Sequence, residues 1–262
     1  SCADDQAGGT NYITVEKRVA AASLVRKGEV PTLGMPYHSR MPIFPGRIYS
    51  LTILGGGNPT DDLAWSGEDY RQGFMDELVT AQIGQVGTQF DSLGHPMIKI
   101  TGKQVKGFKD GNYLYNGHRL ADIGGPYGLR KNGTEQVGSF LTRSIIIDLV
   151  KLKGGNLPIG YAVTMEDYRA ALKQAGIADA GQGDVVLIRM GWNDLWRGNL
   201  EKTAEQTNAD NAMFNSGGPG VSPEVCDHLA SCKIAMMGAD NWGIKPYDFD
   251  SKGEWPTPYS KT

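Results

Sequence analysis

The chain is poor in the residues that build crosslinked or thiolate-metal proteins: its 262 residues include only three cysteines and four histidines. Cys2, Cys226 and Cys232 are too few for a disulfide framework, and no Cys-x-x-Cys pair exists, which excludes a four-thiolate zinc site. Long apolar runs are missing too. The strongest, 144–150 and 184–190, fall well short of the ~18 apolar residues that a spanning helix needs, so no membrane span is expected. Neither sign of charge dominates, with 26 Lys and Arg against 29 Asp and Glu and a formal net charge of −3. A nucleic-acid partner calls for a basic stripe and is therefore not expected. Any metal site has to be built mainly from His and oxygen donors.

What is abundant is glycine. Its 36 residues are about twice the usual ~7%, and with 13 prolines they mark a packed chain with many tight turns rather than a low-complexity one. The small, polar opening from Ser1 to Thr10 suits a segment that follows a cleaved signal peptide, which predicts a periplasmic or secreted protein. A trimmed start suits it equally, with a cytoplasmic protein as the expectation.

The N-terminal third is irregular, with Pro31, Pro36, Pro42 and Pro45 closely spaced, then an apolar run from Ile48 to Leu54 stopped by Gly55-Gly56-Gly57-Asn58-Pro59. The second half has clearer rhythm. Ser144–Val150 and Asp184–Met190 read as buried strands, and Lys233–Met237 as a third. Thr164 caps a helix over Met165–Ala175 that Gly176 stops, and Ser222 caps another that begins at Pro223. Alternating strands and helices predict an α/β fold: one domain, a mixed sheet layered with helices. The expected division is an N-terminal extension or arm over 1–30 and the α/β domain over 31–262. Sites in such sheets gather where strands end, here at Arg189-Met190-Gly191-Trp192-Asn193 and Gly238-Ala239-Asp240-Asn241-Trp242. Trp192 and Trp242 are candidate substrate-binding residues, and each equally suits a plug over the sheet.

The densest set of candidate ligands is Gln85-Val86-Gly87-Thr88-Gln89-Phe90-Asp91-Ser92-Leu93-Gly94-His95. An extended 85–91 would put Gln85, Gln89 and Asp91 on one face, and a turn at Gly94 would fold His95 back onto them. Two amide oxygens, a carboxylate and an imidazole suit a divalent ion: Mn²⁺, Mg²⁺ or Ca²⁺, with Zn²⁺ on mixed N and O ligands. As spacing alone, the same residues equally describe a polar strand and turn. Elsewhere there is no phosphate loop at Gly55-Gly56-Gly57 and no Gly-x-Ser-x-Gly elbow. Asn132-Gly133-Thr134 fits a glycosylation sequon, and Cys226 and Cys232 read as free thiols, with a disulfide the alternative in an oxidising compartment.

The motif resembles the signature of the cyclase superfamily that includes bacterial kynurenine formamidase and isatin hydrolase, His-x-Gly-Thr-His-x-Asp-x-Pro-x-His. Gly87, Thr88, Asp91 and His95 match, Gln85 and Gln89 replace the first two His, and Leu93 replaces Pro. Asp76-Glu77, Tyr115-Asn116-Gly117, Thr142-Arg143, Asp148, Gly183 to Trp192, Pro219-Gly220 and Gly238-Ala239-Asp240 resemble further landmarks in order, from about Leu51 to Trp242. The resemblance implies the swivelling β/β/α-like cyclase fold and a metal-dependent hydrolase that cleaves an amide, lactam or ester of a small molecule, often opening a ring. It places a Mn or Zn ion on Gln85, Gln89 and Asp91, with His95 as the catalytic or second-metal His; Phe90 is a further candidate substrate-binding residue. It also implies a homo-oligomer, dimer or tetramer, in which 247–259 would serve as interface or lid.

The two Gln-for-His replacements weaken the ligand set toward harder ions. Family members also usually continue into a region with a further His and a Glu, whereas no His follows His228 here. Either that tail was removed or His118 supplies the missing imidazole, with Asp240 or Glu254 as the carboxylate. His38 is a weaker candidate, and His228 reads as packing or solvated. These departures keep two alternatives open: a small-molecule-binding protein that has lost catalysis, and a metal-independent isomerase or dehydratase using Asp91 and His95 as an acid/base pair.

Overall fold

The structure is a computed structural model that describes residues 4–54, 76–101, 107–196 and 201–248. Gly55-Gly56-Gly57-Asn58-Pro59, Cys2 and Glu254 lie outside the described residues, as does most of 247–259. The chain forms two compact units, one of Ser1–Thr32, Phe90–Asn193 and Ser216–Thr262, the other of Leu33–Gln89 and Asp194–Asn215.

The larger unit is organised by a parallel sheet of β1 (Ser144–Asp148), β2 (Val185–Arg189) and β3 (Met236–Ala239), with β2 central. Ser144 and Met236 both stand opposite Val185, so the strands start level and their C-terminal ends leave together. Period-two burial sets the sheet's orientation. Ile145, Ile147, Val186 and Ile188 are buried, whereas Ile146 is half exposed on the other face. The helices cover the buried face. In α1 (Met165–Ala175) the residues Met165, Tyr168, Ala171 and Leu172 recur at helical spacing and are buried, and in α2 (Pro223–Ser231) Val225 and Leu229 are. All join one core with the strand residues. Each fully buried aliphatic side chain there contributes about 1.5–3 kcal/mol.

Local chemistry fixes the helix ends. Thr164 and Asp167 form a reciprocal capping box, and Gly176 takes the left-handed conformation (φ 64°) that ends α1. Ser222 accepts from Val225 N with Pro223 at the first helical position. The first strand is shorter than its apolar run, because the Asp148 carboxylate accepts from Lys151 N and starts a helix over Leu149–Lys153. The third strand begins later than the sequence pattern predicts: Lys233 adopts φ 56° to leave α2, so pairing starts at Met236. Parallel strands joined through helices, together with short antiparallel pairs, make this an α/β fold with a mixed sheet arrangement.

Residues 4–23 belong to the same unit. Lys17 Nζ and Arg143 both bind Asp184, whose side chain has no exposure, and Gly181 N donates to it at 2.7 Å. In the smaller unit, Tyr49–Leu54 pairs antiparallel with Asp76–Ala81. The Pro-rich segment is held by Trp196 Nε1 donating to Pro36 O at 3.0 Å and by Arg40 donating to Thr207 Oγ1 at 2.7 Å. His38 serves a local turn there, its Nδ1 accepting from Arg40 N at 3.1 Å.

Candidate functional site

The motif is not a strand. Gln85 to Thr88 are bends after a turn in which Gln85 N donates to Gln82 O, and Gly84 has φ 81°. The bends over 85–88 break the period-two alternation, so parity does not place Gln85, Gln89 and Asp91 on a common face. Gly87 and Thr88 have structural work instead. A Cβ on Gly87 would lie 2.3 Å from the Tyr37 ring, and Thr88 accepts from Met35 N at 2.8 Å and from Tyr37 Oη at 2.7 Å, through Oγ1 and its carbonyl. Gln85 is half-buried and Gln89 exposed. The boundary between the two units falls inside the motif, after Gln89.

Asp91 and His95 fall in the larger unit, and a tight turn brings them together. His95 N donates to Ser92 O at 3.0 Å, and His95 Nε2 stands 3.9 Å from Asp91 Oδ2 with both side chains exposed. Phe90 is exposed and packs on Phe140, ring centroids 5.7 Å apart.

The chain after His95 forms a ribbon in which Ile98–Ile100 pairs antiparallel with Gly111–Tyr113, Ile98 opposite Tyr113. Because the strands run in opposite directions, the segment before Ile98 and the segment after Tyr113 leave the same end of the ribbon. That end therefore carries both His95 and the turn Tyr115–Gly117 that leads to His118. Asn116 makes that turn with φ 59°. His118 Nε2 is buried without a hydrogen-bond partner.

Asn132 ties the two turns together. It is fully buried; its side-chain amide donates to Tyr115 O at 3.1 Å, and its carbonyl would lie 2.9 Å from a Cβ on Gly94. Burial with φ 64° fits this joint and not a glycosylated loop. Sequence reasoning missed the role, because nothing local to 132–134 signals contacts to 94 and 115. Asp5 is the second residue missed. Its carboxylate accepts from Tyr115 Oη at 2.6 Å, and that bond, with N–H groups from Ala7, Asn11 and Gly8, outweighs burial and holds its pKa at about 2. The same bond pushes the Tyr115 phenol up to about 12.

The strand ends behave differently. Asp240 accepts from Met190 N on one oxygen and from Gly191 N on the other, both at 2.8 Å, clamping the end of β3 to that of β2. Burial raises its pKa against those donors. Trp192 is 2% exposed and Trp242 half-buried. Asn193 Oδ1 and Asn241 Oδ1 are buried without partners.

The Cyclase family model matches residues 32–246, which takes in the motif, both turns and all three sheet strands. The chain belongs to the Cyclase family. A solved structure described as that of a novel cyclase is 30% identical, with a TM-score of 0.74 over 93% of this chain and 74% of that one. No curated protein matches the sequence significantly. Within this Cyclase fold, Asp91 and His95 face each other across a tight turn, and His118 Nε2 is buried without a hydrogen-bond partner. No helix among the described residues is long and apolar enough to cross a membrane.

Proposed function

We propose that this chain is a metal-dependent hydrolase that cleaves a cyclic or acyclic amide, lactam or ester. The observation that carries the reading is the turn in which Asp91 and His95 face each other at the end of the ribbon that also bears His118, whose buried Nε2 has no protein partner. Asp91 would hold a Mn or Zn ion together with the amide oxygens of Gln85 and Gln89, which align with ligand positions of the resembled motif. When bound, such an ion polarises a carbonyl and brings the pKa of water toward neutrality.

The proton chemistry belongs to the side chains. Hydrolysis needs a base to take a proton from the attacking water and an acid to return one to the leaving nitrogen or oxygen, and a neutral imidazole does both near pH 7. His95 is exposed to an incoming substrate and assigned that role, with His118 as the second imidazole. Exposed Phe90 offers an apolar face to the substrate, with Trp192 and Trp242 assigned to the pocket from their place after the strand ends. A homo-oligomer is part of the same proposal, read by light scattering.

The test combines metal analysis of protein purified without chelators with turnover of a panel of lactams, amides and esters. The expected result is a bound divalent ion, activity lost to chelator and restored by Mn²⁺ or Zn²⁺, and both lost in Asp91→Asn. Turnover that persists in chelator or in Asp91→Asn sinks the assignment and favours metal-free acid/base chemistry. Ligand-induced stabilisation without product on any substrate favours a binding protein.

A further inference from the structure

A second cluster of ligand atoms uses none of these residues. His228 on α2 and Cys232 just past its end are four residues apart and therefore share a helix face, and Asp179 reaches them from the connection between α1 and β2. His228 Nε2 lies 3.0 Å from Asp179 Oδ2 and 3.7 Å from Cys232 Sγ, and all three ligand atoms are within 4.8 Å of one another. It is the one such group of His, Cys, Asp and Glu among the described residues.

The arrangement resembles a Cys-His-Asp relay in composition but not in geometry. A relay uses both ring nitrogens, one toward the thiol and the other toward the carboxylate. Here both partners converge on Nε2, and one nitrogen cannot donate to the carboxylate and accept from the thiol at once. A cation at the common point resolves the conflict. Tetrahedral zinc, with bonds of about 2.0–2.1 Å to N, 2.0–2.2 Å to O and 2.3 Å to S, sets its ligand atoms about 3.3–3.7 Å apart, so the Nε2–Oδ2 separation of 3.0 Å and the Nε2–Sγ separation of 3.7 Å need shifts of only a few tenths of an ångström.

The carboxylate is already oriented for this. Tyr168 Oη and Ala180 N donate to Asp179 Oδ1 at 2.5 and 2.7 Å, which fixes Oδ2 toward the imidazole. Outer-shell bonds of this kind position ligands at metal sites. The fully buried Tyr168 ring also packs edge-on against His228, centroids 5.6 Å apart. Two polar bonds and one aromatic contact therefore hold the ligands before any ion arrives.

We infer that Asp179, His228 and Cys232 form a second, zinc-type site, with its fourth position open to solvent and separate from the Asp91 motif. The ion would staple the α1–β2 connection to the end of α2.

The test is titration of the metal-free 262-residue chain with Co²⁺ as a spectroscopic stand-in for zinc. A near-ultraviolet sulfur-to-cobalt charge-transfer band is expected in the wild type. It should vanish in Cys232→Ser, persist in Cys226→Ser and Asp91→Asn, and weaken in apparent affinity in His228→Gln by at least the roughly 10–100-fold that even an outer-shell change costs. Zinc should raise the unfolding midpoint by about 5 °C at a hundredfold excess over Kd, in wild type and Asp91→Asn but not in Cys232→Ser. A missing band in the wild type, or one that survives Cys232→Ser, overturns the inference. Because Asp91→Asn disables only the proposed catalytic ion, failure here and failure of the hydrolase reading are separate results.

Discussion

Two aspartates at family landmarks do opposite things. Asp240 is half-buried, and each of its carboxylate oxygens accepts a backbone N–H from the end of β2. Asp91 is exposed, faces an imidazole from beyond hydrogen-bond distance, and sits on a turn whose own backbone bonds are local. Asp184 belongs with Asp240: Arg143, Lys17 and Gly181 surround it, and Thr142 Oγ1 donates to Gly183 O at 2.5 Å beside it. A carboxylate whose acceptors are filled by the protein's own donors is a joint, because any ligand would have to displace those donors at full desolvation cost. A carboxylate presented to solvent beside an imidazole is within reach of an incoming ligand. The two landmarks therefore differ in exposure and in distance to their neighbours, one closed around backbone donors and the other open to solvent.

Substitution at the chemical residue should break that contrast most. Asp91→Asn is expected to reduce kcat/KM on the order of 10³-fold, about 4 kcal/mol of transition-state stabilisation, while shifting unfolding stability by no more than about 0.5 kcal/mol. Steady-state kinetics beside denaturant unfolding reads both, and a large stability loss with modest kinetic loss would move Asp91 to the scaffold class. Asp240→Ala should show the reverse, destabilising by about 2–4 kcal/mol as the buried N–H groups of Met190 and Gly191 lose their acceptor. Unchanged denaturant midpoints would remove its role as a clamp.

Gly94→Ala tests whether the turn must sit on Asn132. Its Cβ would come 2.4 Å from Leu129 Cδ1 and 2.9 Å from the Asn132 carbonyl. The leucine tip can swing aside but the backbone oxygen cannot, so the turn must shift at a cost of about 1–3 kcal/mol. The expected signature is a kcat loss with metal binding weakened and the sheet's stability untouched, read by kinetics and isothermal titration with Mn²⁺.

Capped helices were legible in the sequence because their signals are local: Thr164 with Asp167, Gly176, and Ser222 before Pro223 are each read within one turn. The sheet was legible from its apolar runs, with errors of a few residues where Asp148 starts a helix early and Lys233 turns left-handed. The site was legible only as residue types. Its extended reading failed at the bends over 85–88, and the joint through Asn132 spans contacts at positions 94 and 115 that no local pattern encodes. His228 and Cys232 show the same limit. Their helical spacing was visible, but the third ligand atom arrives from Asp179, 49 residues away.

The smallest expected effect separates the two kinds of carboxylate by pH. The Tyr115 hydroxyl, helped by local N–H groups, holds Asp5 at about 2 in the folded chain, below the ordinary carboxylate value of 3.8. A folded-state pKa that is depressed contributes stability present above the unfolded value and lost as pH falls through the folded one. The window is therefore about pH 4 down to about pH 2. Asp184 adds in the same direction: burial works upward on it, and the bonds from Arg143, Lys17 and Gly181 outweigh that and lower it. Because Asp5 is only partly buried, solvent screening holds its share below about 1 kcal/mol. Asp5→Asn should accordingly leave stability at pH 7 slightly lower and flatten its decline between pH 4 and 2, measured by urea unfolding across that range. Asp184→Asn should flatten it more. An Asp5→Asn curve parallel to the wild type would mean that the Tyr115 bond does not hold in solution, and with it the anchoring of residues 4–12 beside the His118 turn.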